Sequence, residues 1–231
     1  MIKKTLIAAT LLAGASAAQA EISANVNLAT DYVFRGISQT DNQFAIQGGF
    51  DWEHASGFYL GTWASNVDSD LFGGAKDPQI ELDLYAGFAG DIGSSGLGYD
   101  AGYIRYEYPG GGSNDTNEIY GALSFAGFTG QLNYSDELNF SGDDGDGWYW
   151  FGGYETEFSG VGLSASIGYS SGDAWDVVTD GSYVDWSLGA SYTLAGVDLG
   201  LTYTDTNLSK SDCGSSTLCD TKFIASISKS F

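Results

Sequence analysis

Residues 220–231 read DTKFIASISKSF and stop on a phenylalanine. Counting back in twos gives Phe231, Lys229, Ile227, Ala225 and Phe223; the interleaved set is Ser230, Ser228, Ser226, Ile224 and Lys222. A period of two, with one face mostly apolar and the other small and polar, describes a strand between two different environments. A bare strand edge at the end of a chain invites aggregation. Pairing the last strand with the first in a closed barrel removes that edge. The competing reading of this stretch alone is an edge strand of a soluble sandwich.

The start of the chain favours the barrel. Lys3 and Lys4 precede an apolar run from Thr5 to Ala17, and Ala18-Gln19-Ala20 has the small-x-small form of a cleavage site. Residues 1–20 are therefore expected to be a secretory signal peptide, and residues 21–231 a single barrel domain. No later stretch supplies the roughly eighteen consecutive apolar residues that a membrane-spanning helix needs. The chain holds 34 glycines, 15 tyrosines, 13 phenylalanines and 6 tryptophans but one methionine. Its formal charge is −22, and loss of Lys3 and Lys4 with the leader takes it to −24. Six basic residues then face 30 acidic ones, which excludes nucleic acid as a natural partner.

Alternating segments continue along the chain. The first is read from Ile22 to Phe34, ending at Gly36; the second covers Phe44 to Glu53; the third, 58–67, leaves its faces open. The clearest has Ile80, Leu82, Leu84, Ala86 and Phe88 against Glu81, Asp83 and Tyr85. In the segment 97–108 one face carries Asp100 and the other Arg105 and Glu107. A cation near the bilayer midplane costs about 2–4 kcal/mol, so Arg105 and Glu107 are assigned to the lumen and Asp100 to the membrane edge. Seven more segments follow, the last being the closing strand.

The total is twelve strands, with ten and fourteen as the neighbouring even counts. Connections after strands 2, 4, 6, 8 and 10 are short and the others mostly longer. This is the arrangement of an all-β transmembrane antiparallel up-and-down β-barrel with short periplasmic turns and longer outer loops. A strand of about ten residues, rising about 3.3 Å each and tilted about 40°, covers roughly the 25 Å apolar band. Trp52, Trp148, Trp186, Tyr134, Tyr154, Tyr192, Phe158 and Phe231 fall near strand ends, where aromatic girdles belong.

Residues 29–40, ATDYVFRGISQT, resemble the opening of the TorF porin family, as do 47–54, QGGFDWEH, with Gly57-Phe58-Tyr59 and 61–67, GTWASNV. The likeness is dense over 29–67 and thinner beyond, at 102–104 and 106–110. It implies an outer-membrane barrel of porin type, and supplies a fold and a location better than a substrate. The terminal aromatic similarly resembles the C-terminal signature read by the outer-membrane assembly machinery.

Few residues suggest chemistry. Cys213 and Cys219 share the last long loop, and in an oxidising compartment a disulfide is expected. Residues 141–147, SGDDGDG, are rich in hard oxygen donors, so Asp143, Asp144 and Asp146 form a weak calcium candidate without EF-hand spacing. A solvated acidic loop is the default, though divalent ions there would bridge to lipopolysaccharide. His54, the single histidine, sits in a short turn away from any expected catalytic rim. No nucleophile motif or phosphate-binding loop is present. The chain is read as a non-enzyme without a cofactor, and carboxylate-only catalysis is the one enzymatic route these residues leave.

The expected lumen is acidic. Arg35 and Arg105 would oppose Glu81, Asp83, Glu107 and Asp185 across the pore, with Glu155 adding to the lining. Acidic rings favour cations. The resulting expectation is a porin for passive diffusion of ions and small hydrophilic solutes in the outer membrane of a Gram-negative bacterium, in contact with lipid and lipopolysaccharide. Against it stand a barrel plugged by its own side chains, serving a structural or adhesive role through ion-binding acidic loops, and a lipid-acting outer-membrane enzyme.

Overall fold

A computed structural model describes residues 20–68, 78–110, 114–138, 145–176, 181–213 and 216–231. Twelve antiparallel strands close into one barrel: β1 (Glu21–Ala29), β4 (Ala45–Glu53), β5 (Phe58–Asn66), β6 (Ile80–Asp91), β7 (Gly98–Glu107), β8 (Thr116–Phe125), β9 (Phe128–Ser135), β10 (Gly147–Phe158), β11 (Val161–Ser171), β12 (Ser182–Leu194), β13 (Val197–Thr206) and β14 (Lys222–Ser230). The remaining two, β2 (Val33–Phe34) and β3 (Ile37–Ser38), form a separate small hairpin. Closure occurs where the terminal alternation requires it: β14 pairs with β1, and Ala24 and Phe231 exchange both backbone hydrogen bonds, at 3.3 and 2.9 Å.

Side-chain alternation sorts every wall strand. Ile22, Val26 and Leu28 of β1, Leu84 and Phe88 of β6, and Phe223 and Ile227 of β14 are exposed on the outer surface. Their neighbours in sequence face the lumen. The open assignment of β5 resolves with Tyr59, Trp63 and Ser65 inward. Three of the five short connections are two-residue turns whose residues have positive φ: Ala126-Gly127, Ser159-Gly160 and Ala195-Gly196. Such turns match the twist of a hairpin without splaying its strands. Glu21, Phe231 and these turns lie at one end. The outward aromatics gather at two levels, with Phe128 against Tyr154 at 4.5 Å near the short turns and Tyr134 against Trp148 at 4.4 Å near the long loops.

Two assignments are corrected. In β7 the register sets Arg105 opposite Leu84 and Glu107 opposite Leu82, so both charges face outward, while Asp100 is 5 % exposed and points into the lumen. The cost of an outward cation is avoided because Arg105 lies near the long-loop rim and is paired, with Glu107 at 2.7 Å and Asp115 at 3.0 Å. The first strand also stops earlier than its apolar period suggests. It ends at Ala29, and residues 30–44 turn into the barrel.

Glycine shapes the inner wall. A Cβ at Gly61 would sit 2.5 Å from the Tyr85 ring, and one at Gly102 would sit 2.6 Å from the Tyr120 hydroxyl. Gly130 faces outward with nothing within 4 Å. Replacing Gly102 by Val is therefore expected to lower stability by about 1–3 kcal/mol in denaturant unfolding of the refolded barrel in detergent. Gly130→Val should change it by no more than about 0.5 kcal/mol. Equal costs at the two positions would contradict this packing.

Candidate functional site

The lumen has two levels. The outer level is filled by the segment between β1 and β4. Asp31 starts its inward bend, and its carboxylate accepts hydrogen bonds from Ser38 Oγ at 2.6 Å and Thr40 Oγ1 at 2.9 Å. The β2–β3 hairpin turns at Arg35 and Gly36, both with positive φ. Gly36 packs so closely that a Cβ there would fall 2.9 Å from Cβ of Asp185. Beyond the hairpin, Tyr32 donates to Glu81 at 2.9 Å, and Tyr108 donates to the other oxygen of Glu81 at 3.0 Å.

Arg35 fastens the tip. Its guanidinium meets Glu118 on β8 at 2.5 Å, with the side chains 8 % and 2 % exposed. It also lies 4.2 Å from the centre of the Tyr149 ring and 4.7 Å from that of Phe34. Glu118 accepts two further hydrogen bonds, from Tyr106 at 3.2 Å and Asn133 at 2.7 Å. The Arg35 carbonyl accepts from the Tyr183 hydroxyl at 3.0 Å. On the opposite flank Lys222 reaches to 3.9 Å from Asp31 and donates to the Thr217 carbonyl at 2.9 Å and to Asn42. A buried guanidinium with its carboxylate and hydrogen bonds in place holds firmly, because removing either partner strands a charge.

The long loops cover this segment. Ile37 at the hairpin packs with Leu138, Trp175 and Tyr183, and the Ser38 amide donates to the Leu218 carbonyl at 3.0 Å. Leu218 lies inside the loop closed by the Cys213–Cys219 disulfide. Of the calcium candidates, Asp143 and Asp144 lie outside the described residues. Asp146 is engaged by Trp148 Nε1 at 3.2 Å and the Asp173 amide at 3.3 Å. Among the described residues no group of three or more candidate ligands could hold a metal ion.

The inner level, toward the short turns, is lopsided. On β4 to β8 it is aromatic and acidic. Tyr85 donates to Asp51, while Tyr59 and Tyr120 hydrogen-bond one another and Tyr59 donates to Asp100 at 2.7 Å. Half-way round the ring, β11, β12 and β13 present small residues: Ser164 and Ser166, Ser187 and Gly189, Gly200 and Thr202. Side chains on the serine and glycine wall therefore take up less of the lumen than the tyrosines opposite. His54 lies in an exposed turn, with Nδ1 2.9 Å from Ser56 Oγ and its ring stacked on that of Trp52 at 5.8 Å between centroids.

Of the residues expected to line the lumen, Glu81, Asp83, Glu155 and Asp185 occupy inward positions of β6, β10 and β12, and Arg35 joins them from the hairpin. Arg105 and Glu107 do not. The transverse field expected between two arginines and facing acids is thus replaced by one arginine already neutralised by Glu118. Sequence reading gives no role to Tyr59, Tyr85 or Tyr120 and sets Asp100 at the membrane edge instead of in the lumen. A tyrosine on an inward position opposite a glycine of the next strand is a signal only once register is known.

Comparison with solved structures agrees with the barrel. The NanC porin aligns over 90% of this chain and 98% of its own, with 10% identity and a TM-score of 0.57. A structure from a study of in-meso crystallization of membrane proteins aligns over 90% and 83%, with 11% identity and a TM-score of 0.51. The COG4313 outer membrane channel from Pseudomonas putida F1 aligns over 94% and 97% with 11% identity, at a TM-score of 0.49 too low to add weight. At these identities the likeness is one of fold. No curated protein matches the chain. A family model described as "Bacterial protein of unknown function (Gcw_chp)" matches residues 13–231, and the chain belongs to that family.

Proposed function

We propose that this chain is an outer-membrane channel for passive diffusion of ions and small hydrophilic solutes, narrowed at its outer level by residues 30–44 and preferring cations. The observation that carries the reading is the distribution of charge. Of the basic side chains in the mature chain, Lys76 lies outside the described residues, Lys229 and Arg105 are on the outer surface, and Lys210 is in a loop paired with Asp220. Arg35 and Lys222 are the bases within the described lumen, and both are engaged by the hairpin level. Asp51, Asp83 and Asp100 form no ion pair among the described residues. A water-filled path lined by such carboxylates concentrates cations and repels anions.

Other features fit the same setting. The apolar outer surface suits lipid, and the Arg105, Glu107 and Asp115 cluster lies at the level of headgroups, where lipopolysaccharide would meet it. The resemblance of residues 29–40 to the TorF porin family points the same way, as does the leader expected at residues 1–20, with export to the outer membrane of a Gram-negative bacterium. A second reading, a closed structural barrel, is favoured by one observation: the outer level is packed with buried side chains, Tyr32, Tyr106 and Tyr108 among them.

Three bilayer measurements decide between them. The refolded mature chain in a planar bilayer under a KCl gradient should give stepwise openings with a cation-selective reversal potential. Neutralising Asp51, Asp83 and Glu155 together (D51N, D83N, E155Q) should reduce the potassium-to-chloride permeability ratio roughly several-fold. An unchanged ratio would remove these carboxylates from the path. Replacing residues 32–41 by a short Gly-Ser linker should raise single-channel conductance. A wild-type barrel that stays silent while the shortened form conducts would establish the plugged reading instead.

A further inference from the structure

We propose that the inner level of the lumen holds a subsite for organic cations of the quaternary ammonium or alkylammonium class. It is formed by Tyr85 and Tyr120 with Asp51 and Asp100. The inference deepens the channel reading and rests on it for access to the site.

The argument starts from the glycines. Tyr85 on β6 lies over Gly61 of β5, and Tyr120 on β8 lies over Gly102 of β7. A side chain at either glycine would collide with the ring, so each tyrosine is laid against the barrel wall. A ring laid flat presents a π-face to the lumen instead of an edge. Both rings are half-buried, and Tyr59 is buried beneath the same patch, where it bonds to Tyr120 and Asp100. The wall is therefore aromatic in its surface and carboxylate in its support.

The hydroxyls strengthen that surface. A phenol that donates its proton toward a carboxylate gains electron density in the ring, and the negative face of the quadrupole is what attracts a cation. Tyr85 donates to Asp51, and Tyr59, itself bonded to Tyr120, donates to Asp100. Asp83 stands one inward position from Tyr85 and shares a hydrogen bond with Glu81, while its Oδ1 is buried without a hydrogen-bond partner. No basic side chain among the described residues pairs with these three aspartates. Aromatic faces backed by unpaired carboxylates are the chemistry that recognises a weakly hydrated organic cation. A sugar would stack on the same rings and donate hydroxyls to the carboxylates, but it carries no charge to balance theirs.

The test is binding, measured apart from conduction. Choline chloride is titrated into the refolded full-length mature chain in detergent micelles by calorimetry, with glucose as the neutral comparison. Saturable choline binding stronger than glucose is expected. Tyr85→Leu and Tyr120→Leu should each weaken it roughly two- to thirtyfold, whereas Tyr85→Phe, which keeps the ring, should lose less than Tyr85→Leu. Asp51→Asn preserves shape and serves where a leucine variant fails to fold; it should also weaken choline. Absent choline binding, glucose binding of equal strength, or leucine and asparagine variants indistinguishable from wild type would overturn the subsite. A barrel that conducts potassium selectively without binding choline removes the subsite and leaves the channel. One that binds choline without conducting does the reverse.

Discussion

A guanidinium taken out of water must find its charge and its hydrogen bonds inside the protein, and Arg35 finds them on Glu118. That pair joins positions 83 apart in the chain, one at a hairpin tip and one on the barrel wall. Much else at the outer level follows from it. Holding the tip there draws Phe34 against Tyr106, places Tyr32 within reach of Glu81, and brings Ser38 beneath the disulfide-closed loop. A charge left unpaired at this depth would be strongly destabilising, so the segment has one favourable seat and little freedom to leave it.

The same pairing sets the electrostatics below it. Because Arg35 and Lys222 are both engaged with the inward segment, no base remains to offset the acids of the inner level among the described residues. The wall there divides by size. Tyrosines lie in slots that cross-strand glycines leave on one side, and serine, glycine and threonine leave room on the other. A twelve-stranded barrel lies between the filled eight-stranded kind and the wide sixteen-stranded kind. Where its space falls is then decided by side-chain volume more than by strand number.

The barrel itself was legible because lipid and lumen impose a period of two on every strand, and because short turns alternate with long loops. Gly127, Gly160 and Gly196 mark three of those turns in the sequence. The inward segment was not legible for a related reason. Tyr32 and Phe34 continue the alternation begun at Ile22, so the pattern looks the same whether those rings meet lipid or the interior of the barrel. Only Asp31, Arg35 and Gly36 hint at a turn. Arg105 and Asp100 were assigned to the wrong faces by a rule about midplane charges, although Arg105 lies near the rim and carries its own carboxylates. The tyrosine–glycine slots depend on register between strands, which no single strand reveals.

The central claim is that residues 30–44 sit inside the barrel, fastened by Arg35 and Glu118. A double-mutant cycle addresses it directly: Arg35→Met, Glu118→Gln and the pair together, each refolded in detergent and unfolded in denaturant. Each single replacement should cost about 3–5 kcal/mol, since it strands a buried partner. The double should cost less than the sum by at least about 1 kcal/mol. Costs that add to within about 0.5 kcal/mol would mean that the two side chains do not meet, and the segment would then lie elsewhere.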